Sequence, residues 1–177
     1  MAAASRQFPW SIAPPGRVPG GLAAALALGS YVVPLLLSRS SSPTPDHPRV
    51  LAWYASLRKP SYKPPDVAIP IAWGLIESAL SVAAYRLLRR PSGPARNRAL
   101  AWLGANVLGI GGWSRLFFGA RNLPLSTAAA AAMVGTAAAY VAEAKRSDRV
   151  SAIAGIPLVG WLAFATLLTA DLWRRNR

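Results

Sequence analysis

The chain has 177 residues, 53% of them hydrophobic and only 15% charged, with a net charge of +14 and a mean hydropathy of +0.30. A soluble domain carries about 25% charge, so the deficit points to a membrane protein, and the length points to a single domain. With no cysteine, the composition excludes disulfides, thiolate metal sites and a cysteine nucleophile, and the one histidine, His47 in a polar loop, argues against a His-rich metal site or a Ser-His-Asp triad.

Residues 1–17 contain Ala, Ser, Pro and two arginines with no acids. They read either as a short organellar targeting segment or as a disordered tail, and Trp10 within them receives no role. Residues 18–37 are apolar and uncharged, enough for one membrane crossing. A signal-peptide reading of this stretch, flanked by Arg17 and Ser38-Arg39-Ser40, has against it the length of the apolar region.

Ser38 to Asp66 is the longest polar segment. It ends in the stretch around which the chain is organised: Trp53-Tyr54-Ala55-Ser56-Leu57-Arg58-Lys59-Pro60-Ser61-Tyr62-Lys63-Pro64-Pro65, running on to Trp73. Pro60, Pro64 and Pro65 cannot sit inside a helix, so this loop is extended or turn-like. It then enters a second span, residues 67–88, with Pro70 in its first turn, where proline is tolerated. The loop and Trp73 together look like a lid joined to a pocket wall.

A third span covers residues 98–118, with Gly109, Gly111 and Gly112 lowering helix propensity at its middle and permitting close approach or a break. After a tight turn, an alanine-rich fourth span covers 125–142 and a fifth covers 150–173. Small residues recur four apart at Ala101, Ala105 and Gly109, and at Gly135 and Ala139. Packing within the chain is preferred for them over a dimer seam. The expected fold is an all-α integral membrane bundle of five transmembrane helices, since lipid cannot satisfy open backbone groups. The domain is residues 18–177. Lys and Arg punctuate the span ends, as against anionic headgroups, rather than forming one face for nucleic acid. The count on the two sides is nearly equal, so charge does not orient the bundle.

Two sets of in-span polar residues stand out. Glu77 lies one turn after Trp73 on the same helix face. A carboxylate at that depth is either a functional group or a protonated or paired structural one. Arg115 and Asp171 lie near the ends of two spans that run in the same direction, and they either pair with each other or reach the headgroups separately. Trp102, Asn106, Gly109 and Trp113 share one helix face, and Trp161, Phe164, Leu168 and Asp171 another. Such stripes are packing or, with Trp73, the walls of a site for a flat apolar ligand. Trp102 and Trp173, near span ends, read as interfacial anchors. No catalytic constellation is present, so the chain is not read as an enzyme.

From Trp53 to Trp173 the sequence resembles the translocator protein family, also called the tryptophan-rich sensory protein or peripheral benzodiazepine receptor family. The resemblance is carried by Trp53-Tyr54-Ala55-Ser56-Leu57 with Lys59-Pro60-Ser61 and Pro64-Pro65, by Trp73-Gly74, by Trp113 with Phe117-Phe118-Gly119-Ala120-Arg121, and by Trp161-Leu162-Ala163-Phe164-Ala165-Thr166. It implies five helices around a pocket closed by the first interhelical loop. It also implies a receptor or scavenger of porphyrins (haem, protoporphyrin IX) and of lipids or sterols, binding of benzodiazepine- and isoquinoline-type ligands, and frequent homodimers. No cofactor is required; haem or protoporphyrin IX enters as ligand. Two alternatives stand beside it: a transporter of tetrapyrroles or sterols, and a structural or partner-binding membrane protein with a degenerate pocket. The implied membrane is the mitochondrial outer membrane or endoplasmic reticulum in a eukaryote and the cell membrane in a bacterium. The candidate ligand-binding residues are Trp53, Pro64, Pro65, Trp73, Trp113, Trp161, Phe164 and Ala165 from the resemblance, with Glu77 and Asn106 from the helix faces. The chain departs from the family at Ser114-Arg115, where a proline pair is expected, and at Ile110, Gly111, Leu125, Ala170 and Asp171. The last two replace tyrosines of the animal sterol motif.

Overall fold

The computed structural model describes residues 16–177. The targeting or tail reading therefore falls, apart from Gly16 and Arg17, outside the described residues, as does Trp10. The helices are α1 (Gly20–Ser38), α2 (Pro48–Ser56), α3 (Ala68–Leu88), α4 (Pro94–Ser114), α5 (Leu123–Lys145) and α6 (Arg149–Arg175), with a π turn at Arg115–Gly119 directly after α4.

The all-helical membrane class stands, with a change in the count. Four helices, α1, α3, α5 and α6, are long and apolar enough to cross a membrane. The helix α4 is as long as α3, but Arg96, Asn97 and Arg98 in its first turns and Asn106 at its middle lower its hydropathy. The sixth, α2, is a nine-residue helix inside the polar segment. Proline at its first position supplies the missing N–H that a helix start does not need. The extended reading holds only after it, from Leu57 on.

The five long helices close a ring in the order α1, α3, α6, α5, α4 and back to α1. Inside lie Leu80, Leu87, Leu103, Ala137, Tyr140 and Leu158, all nearly inaccessible. Outside, large apolar side chains such as Leu28, Ile71, Leu75, Leu108, Ile156 and Leu167 are exposed, the reverse of a soluble surface and what hydrocarbon requires.

The Gly109–Gly112 region is not a break. The helix α4 runs through it, and a side chain at Gly111 would collide with Leu37 of α1. Gly109 admits Met133 of α5, whose Cε lies 3.1 Å from the position a Cβ would take. The irregularity comes later, where the Ala120 N–H reaches back to the Arg115 carbonyl at 2.8 Å. The other small residues behave unlike the expectation: Ala101, Ala105 and Gly135 face outward. Packing between α4 and α5 uses Gly109 against Met133 instead.

One end of the ring is tied by Asp148, whose side chain is 2% exposed. As the N-cap of α6 it accepts from the Ser151 N–H at 3.2 Å and the Ser151 hydroxyl at 2.6 Å. From α3 it accepts two hydrogen bonds from Arg86, at 2.7 and 3.0 Å, and just beyond α3 one from Arg90 at 2.7 Å. The Tyr140 hydroxyl of α5 donates to the Ser151 carbonyl at 2.9 Å. Buried Arg96 donates to the last carbonyls of α3, Leu87 at 3.1 Å and Leu88 at 3.2 Å, satisfying groups that a helix end leaves open. The hydrogen bonds from Arg86, Ser151 and Arg90 hold the Asp148 carboxyl well below the usual carboxylate range, outweighing the opposing effect of burial.

A carboxyl whose folded-state pKa is depressed contributes stability that is present above its unfolded value, about 3.9, and is lost as pH falls through the folded value. Detergent-solubilised protein should therefore melt at a constant temperature from pH 7 to about 5 and lose stability in the acid range below about pH 4. Asp148→Asn should cost about 1–3 kcal/mol at pH 7 and flatten the acid limb. A melting curve across pH for both proteins checks this.

Candidate functional site

The opposite end of the ring is aromatic. The π turn presents the adjacent residues Phe117 and Phe118 to α2 together. Trp53 meets Phe117 edge-on at 5.7 Å, and Tyr54 meets Phe118 at 5.6 Å. Below them Trp113 stacks on Phe117 at 4.8 Å with the planes 15° apart. Its indole N–H donates to the Ser126 carbonyl of α5 at 2.8 Å. Leu57, Leu123, Leu168, Leu172 and Trp173 complete this cluster.

A second cluster lies along α3 and α6. Trp73 meets Trp161 edge-on at 6.1 Å, and Trp161 meets Phe164 at 5.7 Å. Tyr62, from the extended loop, closes on Phe164 at 6.4 Å. The loop between α1 and α3 thus stands on two aromatic feet, Trp53-Tyr54 on one cluster and Tyr62 on the other. Each such ring pair contributes about 0.5–1.5 kcal/mol beyond burial.

The lid is also held by polar contacts. The Asn176 side chain accepts from the Arg58 N–H at 2.9 Å and donates to the Arg58 carbonyl at 3.1 Å. The Arg121 guanidinium lies 5.5 Å from the Trp53 ring centroid. It does so from a left-handed backbone position, φ 54°, which a non-glycine residue adopts only at a cost. Lys59 Nζ donates to the carbonyls of Tyr54, Ala55 and Leu57 at the end of α2. Burial, followed by the Asp66 carboxylate, pushes the Tyr54 phenol up to about 12, so it remains a neutral donor at any working pH. Tyr62 is shifted upward by loss of water and then by Asp171. Burial and then neighbouring Lys63 lower the Lys59 ammonium.

The sequence-predicted residues distribute unevenly. Trp53, Trp73, Trp113, Trp161 and Phe164 are all half-buried around this end, but Trp113 belongs to the first cluster and Trp73 and Trp161 to the second. Pro64 and Pro65 shape the loop: Pro64 is half-buried with its carbonyl bonded to Lys63 at 2.9 Å, and Pro65 is exposed. Ala165, half-buried on α6, accepts from Thr169 at 2.6 Å. Asn106 is fully buried and committed to the Trp102 carbonyl at 2.8 Å and the Thr136 hydroxyl at 2.9 Å, so it joins α4 to α5 and lines nothing. Glu77 is half-buried beside the interior residues Ile76 and Leu80, with no hydrogen-bond or ion-pair partner among the described residues.

The Arg115–Asp171 pair does not form. Arg115 donates to the Leu37 carbonyl of α1 at 3.2 Å, and Asp171 pairs with Arg175 one turn on at 3.2 Å. Running in the same direction brought both residues to one end, but α4 and α6 are not neighbours in the ring. Trp102 is an exposed outer residue, as an anchor should be, whereas Trp173 packs under the lid. Residues missed by the sequence reading are Tyr54, Tyr62, Phe117, Phe118 and Asn176. The first four lie in or beside the quoted motifs, and nothing local marks Asn176.

An open groove of about 520 Å³ runs beside the second cluster, lined by Tyr62, Phe164, Leu167, Ala170, Asp171 and Arg174. It is apolar along its length and polar at one end. Among the described residues no group of acidic or histidine side chains could hold a metal ion.

The model of the TspO/MBR family matches residues 22–174. The chain is 32% identical over 133 residues to the human translocator protein, covering 73% of this chain and 78% of that one. It is 31% identical over 134 residues to protein CrtK of Rhodobacter capsulatus, covering 71% and 79%. It is 30% identical over 125 residues to the tryptophan-rich sensory protein of Cereibacter sphaeroides, covering 70% and 77%.

The lid contacts predict a proteolysis result. Losing the two exposed Asn176 hydrogen bonds in Asn176→Ala should raise the open population of the loop about 3–10-fold. Trypsin cleavage after Arg58 in detergent should accelerate by that factor, while the tryptic pattern elsewhere stays unchanged.

Proposed function

The chain belongs to the TspO/MBR family of integral membrane proteins, and on that footing we propose that it is a membrane receptor or scavenger for porphyrins such as haem and protoporphyrin IX. The observation that carries the reading is the two-footed aromatic lid at the end of the ring. Aromatic faces and edges suit a flat conjugated macrocycle, which can take the place of one ring against another at little cost in burial. Arg58, Lys59, Lys63, Arg121 and Arg174 lie around or beside the lid and suit the carboxylates at a porphyrin edge. The lid must lift for entry, because Trp53 and Tyr62 sit directly on the rings that would receive the ligand.

Lipids or sterols are the second class within the same reading. The groove beneath Tyr62, apolar with Asp171 and Arg174 at one end, matches a molecule with a long apolar body and one polar head. Carrying ligand through the bilayer would need a passage through the tightly packed core formed by Leu80, Leu87, Leu158 and Tyr140. Binding is therefore the favoured reading over transport.

Titration of the detergent-solubilised protein with protoporphyrin IX should give saturable quenching of tryptophan fluorescence. Trp161→Ala should weaken affinity about 10-fold, in line with loss of one stacking surface and its packing, and Trp73→Ala by a similar factor. Trp102→Ala, on the outer surface, should leave affinity unchanged. Absence of saturable quenching in the unmodified protein would mean that the aromatic end serves packing alone.

A further inference from the structure

We propose that the arginine-lined groove at the Asp148 end of the ring, remote from the lid, binds the phosphate of an anionic phospholipid. The groove has a volume of about 300 Å³ and is lined by Arg17, Tyr85, Arg86, Arg89 and Arg90. Two of these four guanidinium groups, those of Arg86 and Arg90, are met from beneath by Asp148, whose side chain is 2% exposed. The site therefore has a net excess of positive charge facing outward.

Three of the four arginines, Arg86, Arg89 and Arg90, are held rather than loose. Arg86 uses Nε and Nη2 on Asp148, and Arg90 uses Nη2. Arg89 donates Nη1 to the Val18 carbonyl at 3.0 Å. Each guanidinium has five N–H donors in a rigid fork, so donors remain for phosphate oxygens after these contacts. The Arg86 and Arg90 side chains are 38% and 48% exposed while so anchored, which lowers the ordering cost of binding.

The position selects a lipid over a soluble anion. The groove begins where the apolar part of α3 ends, at headgroup level. Below it on the outer face of α3, Ile71, Leu75, Val82 and Tyr85 are exposed at spacings of four, seven and three residues. They form one stripe that runs along the length of α3 to Arg89. Acyl chains can lie along that stripe while the phosphate sits among the arginines.

The test is native mass spectrometry of the full chain in detergent, titrated with phosphatidylglycerol or with phosphatidylcholine of the same acyl chains. Phosphatidylglycerol should be retained more tightly. Arg17→Gln and Arg89→Gln should each weaken its retention about 5-fold, and together about 25-fold. The charge-preserving pair Arg17→Lys and Arg89→Lys should stay within about 3-fold of the unmodified chain, which separates lost charge from lost folding. Arg98→Gln removes a cation at the same end that instead pairs with Glu143, and it should change retention less than 2-fold. Three results would overturn the assignment: equal retention of the two lipids, an Arg98→Gln effect as large as that of Arg89→Gln, or displacement of the lipid by glycerophosphoglycerol, its headgroup without chains, at equal concentration.

Discussion

A carboxylate removed from water at the end of a membrane bundle has to be answered, and the way Asp148 is answered sets the form of this protein. Its partners come from Arg86 of α3, from Arg90 just beyond it, and from the first turn of α6. Tyr140 brings in α5 through the Ser151 carbonyl. Breaking a paired buried charge is far costlier than forming it is favourable, so this knot acts chiefly as a constraint: helices tied there cannot slide or separate. The ring is fixed at one end by directional hydrogen bonds.

The other end is held by different physics. There the contacts are edge-on and stacked rings, two hydrogen bonds between the Asn176 amide and the Arg58 backbone, and a cation over Trp53. Ring contacts are broad and tolerate replacement by another flat apolar surface, which hydrogen-bonded ion pairs do not. The π turn serves this end by turning Phe117 and Phe118 toward the same short helix. π turns of this kind recur at functional positions. One rigid end and one exchangeable end is an arrangement suited to a receptor whose lid opens without the bundle coming apart.

How much of this was legible in the sequence follows from range. Apolar runs of about 20 residues declare themselves, so the long helices α1, α3, α5 and α6 were found with ends within a few residues. The motifs around Trp53, Trp73, Trp113 and Trp161 marked the aromatic end. The short helix α2 was hidden because nine residues with a proline start are stabilised by contact with a π turn some sixty positions later, which local pattern does not reveal. A pairing of Arg115 with Asp171 rests on helix direction alone, and direction says nothing of ring order. Asn106 shared a face with Trp113, yet its amide was consumed by Thr136 of the neighbouring helix. Nothing local marks Asp148, because its partner Arg86 lies sixty-two residues away in the chain.

The central claim is that ligand is taken up beneath the lid while the Asp148 end remains fixed. Amide hydrogen exchange with and without protoporphyrin IX tests it most directly. The account predicts that exchange in residues 50–63 and 115–121 slows on adding the porphyrin, and that exchange in residues 140–155, already slow, does not change. Slowing that is uniform along the chain, or confined to residues 140–155, would contradict it.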